Sequence, residues 1–159
     1  MKINIRPMTP EDKLAITRIL RNTSEFKPAE VAVAEELIDS YLESPSDSGY
    51  YILVADVNST VAGYICYGPT PLAEGTWDIY WVAVAPENQE RGIGTALIES
   101  AEKEIRKANG RLVIIETSAI PAYEKTRRFH VGRGYQIVAR IPDFYAPGDD
   151  KLILQKRLT

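Results

Sequence analysis

A chain of 159 residues, 45% hydrophobic and 26% charged, has the size and composition of one globular domain with a sizeable core. Its net charge of −3 argues against a dedicated nucleic-acid binder, which needs a basic face to release phosphate counterions. One cysteine (Cys66) and one histidine (His130) exclude an internal disulfide and disfavour a zinc site; no apolar run nears the roughly 20 residues of a membrane span, and no signal peptide is evident, so a cytoplasmic, soluble protein without metal or membrane attachment is expected.

Ile3-Asn4-Ile5 alternates as a short strand that stops at Pro7. Thr9-Pro10-Glu11-Asp12 then reads as a helix start, with Thr9 at the N-cap, proline at the first helical position and acids in the first turn. A second helix is expected after Pro28, with Val31, Ala34, Leu37, Ile38 and Tyr41 at helical spacing, ending before Pro45. From Tyr50 the period becomes that of strands: 50–56 and 61–67 make a hairpin around Val57-Asn58-Ser59-Thr60, and 77–84 is a third strand closed by Pro86. A helix over about 92–109 carries Ile93, Leu97, Ala101 and Ile105 on one face and stops at Gly110. A strand at 112–117, a helix over about 121–131 and strands at 134–141 and 151–158 complete the chain, with no repeat or long linker. One α+β domain over 1–159 is expected, its sheet mixing hairpins with a strand–helix–strand crossover.

The most informative segment is Val82-Ala83-Val84-Ala85-Pro86-Glu87-Asn88-Gln89-Glu90-Arg91-Gly92-Ile93-Gly94-Thr95. A strand enters a glycine-bearing turn that opens directly into an amphipathic helix. The first turn of a helix carries N–H groups with no internal partner and the positive end of the dipole, and Gly92 and Gly94 would bare those donors to a phosphate or pyrophosphate. A phosphate-binding P-loop would need a Gly-Lys-Ser/Thr ending, which is missing; a dinucleotide fingerprint would need a third glycine where Leu97 stands, although Glu116 could serve as its ribose acid. A glycine-rich helix entry without a ligand is the plain alternative.

Gln-x-x-Gly-x-Gly at 89–94, preceded by a strand and Val-Ala-Val-x-Pro, resembles the acyl-CoA signature of the GNAT N-acetyltransferase superfamily. The likeness extends to the two N-terminal helices, the hairpin, and a helix ending in Arg-Arg-Phe-x-x-Gly-x-Gly-Tyr at 127–135. It implies a mixed, splayed sheet of about six to seven strands flanked by about four helices. It also implies acetyl-CoA as acyl donor, its pantetheine arm paired with the backbone of Val82, Ala83 and Val84. Gln89, Glu90, Arg91, Gly92, Ile93, Gly94 and Thr95 would hold the pyrophosphate.

Acetyl transfer to an amine needs a proton acceptor for the amine, a donor for the oxyanion and a tolerable leaving thiolate. Asp78 is the candidate base: an acid inside the aromatic run Trp77-Asp78-Ile79-Tyr80-Trp81, where some family members carry a catalytic glutamate. Where many relatives have a leaving-group tyrosine this chain has His130, and where many have an asparagine seven residues earlier it has Tyr123; either residue is a candidate acid. Lys125, Arg127, Arg128 and Arg133 form the densest basic cluster, which reads equally as a phosphate contact or a solvated face; Arg91 flanks the anion site directly. Cys66 reads as a buried small side chain rather than a nucleophile.

Residues 141–150 read as a long, aromatic, acidic loop between the last two strands, the kind of segment that binds substrates. Phe144 and Tyr145 would wall the acceptor slot, and Asp143, Asp149 or Asp150 would attract a cationic amine; the alternative is that the aspartates cap their own turns. Glu30, Glu35 and Glu36 on the second helix could also face the slot, although their spacing fits an ordinary solvated face. The expected partners are acetyl-CoA and a primary amine, on a monomer or homodimer without nucleic acid. The competing reading is a non-catalytic acyl-CoA sensor of the same fold; a nucleotide-binding domain of another kind comes third.

Overall fold

The structure, a computed structural model, describes residues 2–159. Its centre is a seven-stranded sheet in the order β1-β2-β3-β4-β5-β7-β6. The strands are β1 (Ile3–Pro7), β2 (Tyr51–Val57), β3 (Thr60–Pro69), β4 (Thr76–Val84), β5 (Leu112–Ser118), β6 (Gln136–Ala146) and β7 (Asp149–Arg157), with helices α1 (Lys13–Asn22), α2 (Pro28–Glu43), α3 (Ile93–Lys107) and α4 (Glu124–Gly132). Every pairing is antiparallel except β4 with β5, which α3 links as a crossover. The mixed, seven-stranded, four-helix architecture is the one the sequence led us to expect. Among the described residues, no helix is long and apolar enough to cross a membrane.

Alternation along the strands gives the sheet two apolar faces, each covered by helices. On one face Ile16, Ile19 and Leu20 of α1 and Val31, Ala34 and Ile38 of α2 bury against Ile52, Val54, Tyr64, Cys66 and Ala83. On the other, Ile93, Leu97, Ile98, Ala101 and Ile105 of α3 bury against Ile65, Tyr67, Trp77, Ile79, Val113 and Leu154. Gly63 of β3 permits α3 to sit close: a Cβ there would lie 2.7 Å from the Ala83 carbonyl oxygen and 3.3 Å from Leu97 Cδ1.

Of the four register shifts in the sheet, two bear on the site and on the expected loop. The β3–β4 register runs Cys66↔Trp81 and then Tyr67↔Ile79, so Tyr80 is an extra residue, a β-bulge. As a result neighbours Tyr80 and Trp81 both turn to the α1–α2 face, where their rings meet Tyr50 and Phe26 edge-on. The second irregularity overturns the loop expected at 141–150. β6 runs on to Ala146, and the hairpin closes through Pro147 and Gly148 alone. The surplus is absorbed because Ile141↔Lys151 is followed by Ala146↔Asp149, leaving residues 142–145 opposite Asp150. Pro142 has no N–H to give the ladder, and β6 is the edge strand, where such a gap is tolerated.

Replacing Gly63 by alanine should lower stability by about 1–3 kcal/mol through the clash with Ala83 and α3. Chemical denaturation followed by circular dichroism would read this as a lower midpoint with native secondary structure retained.

Candidate functional site

β4 and β5 pair only from Thr76↔Leu112 to Ile79↔Ile115. Past that point β4 keeps β3 as its neighbour while Glu116, Thr117 and Ser118 of β5 pair with β7 alone, so the sheet parts at the bulge. Between the two arms lies a cavity of about 630 Å³ lined by residues 78–82 on one side and 114–118 on the other. Glu30 and Lys27 of the α2 entry, Tyr123, His130, Tyr145 and Asp149 complete its wall.

The open edge of β4 is chemically specific. Ala85 N–H donates to the Ala62 carbonyl at 2.7 Å. With Tyr64↔Ala83 and Ile65↔Val82 in register, antiparallel alternation directs the backbone groups of Ala83 into the β3 ladder and those of Val82 and Val84 towards the gap. Of the three residues expected to pair with a pantetheine arm, Ala83 is therefore spent within the sheet. Gln89 Nε2 donates to the Val84 carbonyl at 3.3 Å and closes the far end of this edge.

Beyond that end the chain turns through Glu90 (φ 64°) and Gly92 (φ 82°) into α3. The first helical bond runs from Ala96 N–H to the Gly92 carbonyl at 3.0 Å, which leaves the amides of Ile93, Gly94 and Thr95 ahead of the ladder. The two glycines do different work. Gly92 supplies the left-handed turn, and a Cβ there would meet open space. At Gly94 a Cβ would lie 3.2 Å from Phe129 Cζ, so its missing side chain makes room for α4.

The basic cluster disperses. Arg127 Nη1 donates to the Ser118 and Ile120 carbonyls at 2.9 and 2.8 Å, tying α4 to the end of β5. Arg128 pairs with Glu124 and Lys125 with Glu90. Arg133 Nη1 reaches Thr95 Oγ1 at 3.5 Å, beside the start of α3, and Arg91 is exposed in the turn itself.

Asp78 is half-buried on the cavity wall and accepts a hydrogen bond from Thr70 Oγ1 at 2.7 Å. Burial, and then the Asp78 carboxylate, push the neighbouring Tyr80 phenol up to about 12. His130 is 4% exposed, its ring edge-on to Phe129 and Tyr135, and its Nδ1 has no partner among the described residues. Tyr135 is fixed in turn by Glu102, a buried carboxylate of α3 that accepts from the Tyr135 hydroxyl and from Lys156 Nζ, both at 2.8 Å. Burial drives the His130 pKa from 6.5 down to about 4, so the ring is neutral at neutral pH. That runs against the proton-donor role expected of it as an imidazolium.

Tyr123 is likewise engaged. Its hydroxyl lies 3.0 Å from Glu30 Oε2 and 3.0 Å from the Glu25 carbonyl, and burial together with Glu30 raises its pKa far above the usual phenol value. Its proton is directed at a carboxylate, not at a free space where a thiolate could take it. Tyr145 lines the cavity, its phenol pushed up to about 12 by burial and then by Glu116, Asp149 and Glu30. Asp143 and Phe144, expected beside it, stand away from the cavity. Asp143 accepts from Gly148 N–H at 2.7 Å and its own N–H binds Asp150, so these aspartates cap their own turn. Phe144 is half-exposed beneath Lys151 Nζ, 4.0 Å from the ring centre. Asp149 instead faces inward, bonded by the Ser118 hydroxyl and approached by Lys27 Nζ at 3.9 Å.

Of the three α2 glutamates that the sequence offered to the slot, only Glu30 lines the cavity, and the bulge was not foreseen. Glu30 has the spacing of a solvated face, as Glu35 does, which pairs with Arg21. The bulge did leave a trace: Tyr80-Trp81 are consecutive aromatics in a strand whose strict alternation would have put them on opposite faces.

The depressed His130 pKa makes stability depend on pH. Between about 4 and 6.5 the unfolded chain binds a proton that the folded one does not, so this contribution is complete above pH 6.5 and is lost as pH falls towards 4; it amounts to roughly 3 kcal/mol. Thermal melts of the wild type and of His130→Phe should differ in slope across this window, with the variant losing less stability on acidification.

Comparison with known proteins matches this geometry. The model of the acetyltransferase (GNAT) family covers residues 15–129. An uncharacterized N-acetyltransferase of Methanocaldococcus jannaschii is 30% identical over 105 residues, 65% of this chain and 64% of the relative, so the match spans a little less than two thirds of that protein. A crystal structure from Desulfovibrio desulfuricans, assigned to the GNAT acetyltransferases, is 40% identical with a TM-score of 0.93, covering 99% of this chain and 100% of that one. The PaiA N-acetyltransferase of Thermoplasma acidophilum, solved in complex with coenzyme A, shares the fold at 19% identity, with a TM-score of 0.77 over 99% of each chain. The chain belongs to the acetyltransferase (GNAT) family.

Proposed function

We propose that the protein transfers the acetyl group of acetyl-CoA to a primary amine by direct attack in a ternary complex. The observation that carries this reading is the β4 edge at Val82 and Val84, which has no strand beside it and runs from the cavity towards the first turn of α3. An extended pantetheine arm adds to such an edge as a further strand. Its pyrophosphate then meets the amides of the 89–95 turn and the helix dipole, with Arg91 and Arg133 flanking it.

The acceptor arrives as an ammonium ion and must lose a proton before it can attack. Asp78 takes that proton, directly or through one water. The nitrogen lone pair adds to the thioester carbonyl, forming the C–N bond, and the oxyanion accepts a hydrogen bond from the Val82 amide. Collapse breaks the C–S bond and releases a thiolate whose parent thiol has a pKa of about 8.5 by analogy with cysteine. As the C–S bond breaks, the adduct nitrogen gives its second proton to solvent water and the thiolate takes one back from the same solvent. His130, uncharged, contributes a ring N–H hydrogen bond rather than a proton. Tyr123 positions Glu30 and takes no part in proton transfer.

Thiol release with acetyl-CoA and a panel of primary amines tests the reading. Asp78→Asn should lose at least tenfold in kcat at neutral pH, and His130→Phe a few-fold, while calorimetry still records coenzyme A binding by both. Wild-type rates in both variants would remove these roles and leave positioning alone. Coenzyme A binding without thiol release from any amine would replace transfer with acyl-CoA sensing, a reading that a His130 with no charge to give also favours.

A further inference from the structure

The cavity walls hold more negative charge than one ammonium ion can answer. Four carboxylates line it, Glu30, Asp78, Glu116 and Asp149, against the single ammonium of Lys27. Two of the four have cations of their own: Glu116 pairs with Lys151 at 2.7 Å, and Asp149 faces Lys27 at 3.9 Å. The other two have only uncharged donors among the described residues. Asp78 accepts from the Thr70 hydroxyl; Glu30 accepts from the Tyr123 hydroxyl and, at 3.2 Å, from the Lys27 backbone N–H. They stand on different walls, Asp78 on the β4 arm and Glu30 on α2.

Half-buried carboxylates without a counter-ion lose hydration that hydroxyl and amide donors only partly restore, and a bound cation makes good the deficit. The same cavity holds His130, buried and with Nδ1 unpartnered among the described residues. Because burial keeps it neutral, it adds no positive charge to offset the acids. The Tyr123–Glu30 bond joins residues 93 apart in sequence and fixes the Glu30 carboxylate in the cavity wall.

From this arrangement, and resting on the acetyl-transfer reading above, we infer that the acceptor is a small diamine: one ammonium is delivered to Asp78 for deprotonation and the second is held by Glu30, with Tyr123 as the positioning residue. Only one nitrogen reacts; its first proton passes to Asp78, its lone pair forms the C–N bond, and its second proton leaves to solvent as the C–S bond breaks and coenzyme A departs, while the other nitrogen stays protonated against Glu30.

The test compares three acceptors of equal chain length with acetyl-CoA at pH 7.5: 1,4-diaminobutane, butylamine and 4-aminobutyrate. The diamine should exceed the monoamine at least tenfold in kcat/KM, chiefly through KM, and the amino acid should be poorest. Glu30→Gln should cut the diamine-to-monoamine ratio at least fivefold. Tyr123→Phe keeps the charge but frees it, and should raise the diamine KM two- to threefold with kcat retained. Calorimetric titration of the diamine into the protein–coenzyme A complex supplies a readout independent of turnover, with heat expected for the wild type and lost in Glu30→Gln. Equal turnover of diamine and monoamine, or an unchanged ratio in Glu30→Gln, overturns the diamine assignment and leaves acetyl transfer standing. Diamine binding that depends on Glu30, without thiol release, supports the two-carboxylate site and overturns acetyl transfer instead.

Discussion

After Ile79 meets Ile115, β4 and β5 pair no further, and the site depends on that parting. A strand deprived of its neighbour presents backbone donors and acceptors at sheet spacing, while the space between the arms becomes a pocket whose walls are strand side chains. The bulge at Tyr80 marks the place where the two arms diverge. It also rotates the strand locally, so that Tyr80 and Trp81 face the α1–α2 layer together while Val82 returns to alternation with its amide in the gap. An open backbone edge and a carboxylate on the cavity wall are thus arranged along one strand, on either side of one extra residue.

The helices hold this opening in place. Gly63 lets α3 approach the sheet, and Gly94 lets Phe129 of α4 approach α3, so each close contact is made through an absent side chain. α4 is anchored at its other end by Arg127 on the carbonyls that follow β5 and through the Tyr135–Glu102–Lys156 group beyond its C-terminus. His130 lies between these anchors. Its burial follows from the packing of Phe129 and Tyr135 around it, and its neutral state follows from that burial.

Much of the architecture was legible in the chain. Apolar periodicity located α2 and α3 and the strands β2 to β5 closely, because those elements bury one regular face. The turn over 89–95 was legible because a strand, a glycine turn and an amphipathic helix in succession have few other uses. What was not legible has a common cause: it depends on contacts between distant residues. Gly92 and Gly94 look alike in sequence, yet only the position of Phe129 distinguishes a turn-former from a packing gap. Asp143-Phe144-Tyr145 has the composition of a loop, but pairing with β7 pulls it into a bulged edge strand. Tyr123 carries no sign of Glu30, and a lone histidine on a short helix does not reveal how completely its neighbours will cover it.

Cys66 lies mid-strand beneath α1 and α2, 1% exposed, and burial pushes its thiol up to about 12. Thiolate is the form that exchanges with thioesters, alkylators and disulfides, and here that form is both scarce and walled off. The folded chain therefore keeps its one sulfhydryl beyond reach of adventitious acylation, and while folded it contributes no background to colorimetric sulfhydryl detection.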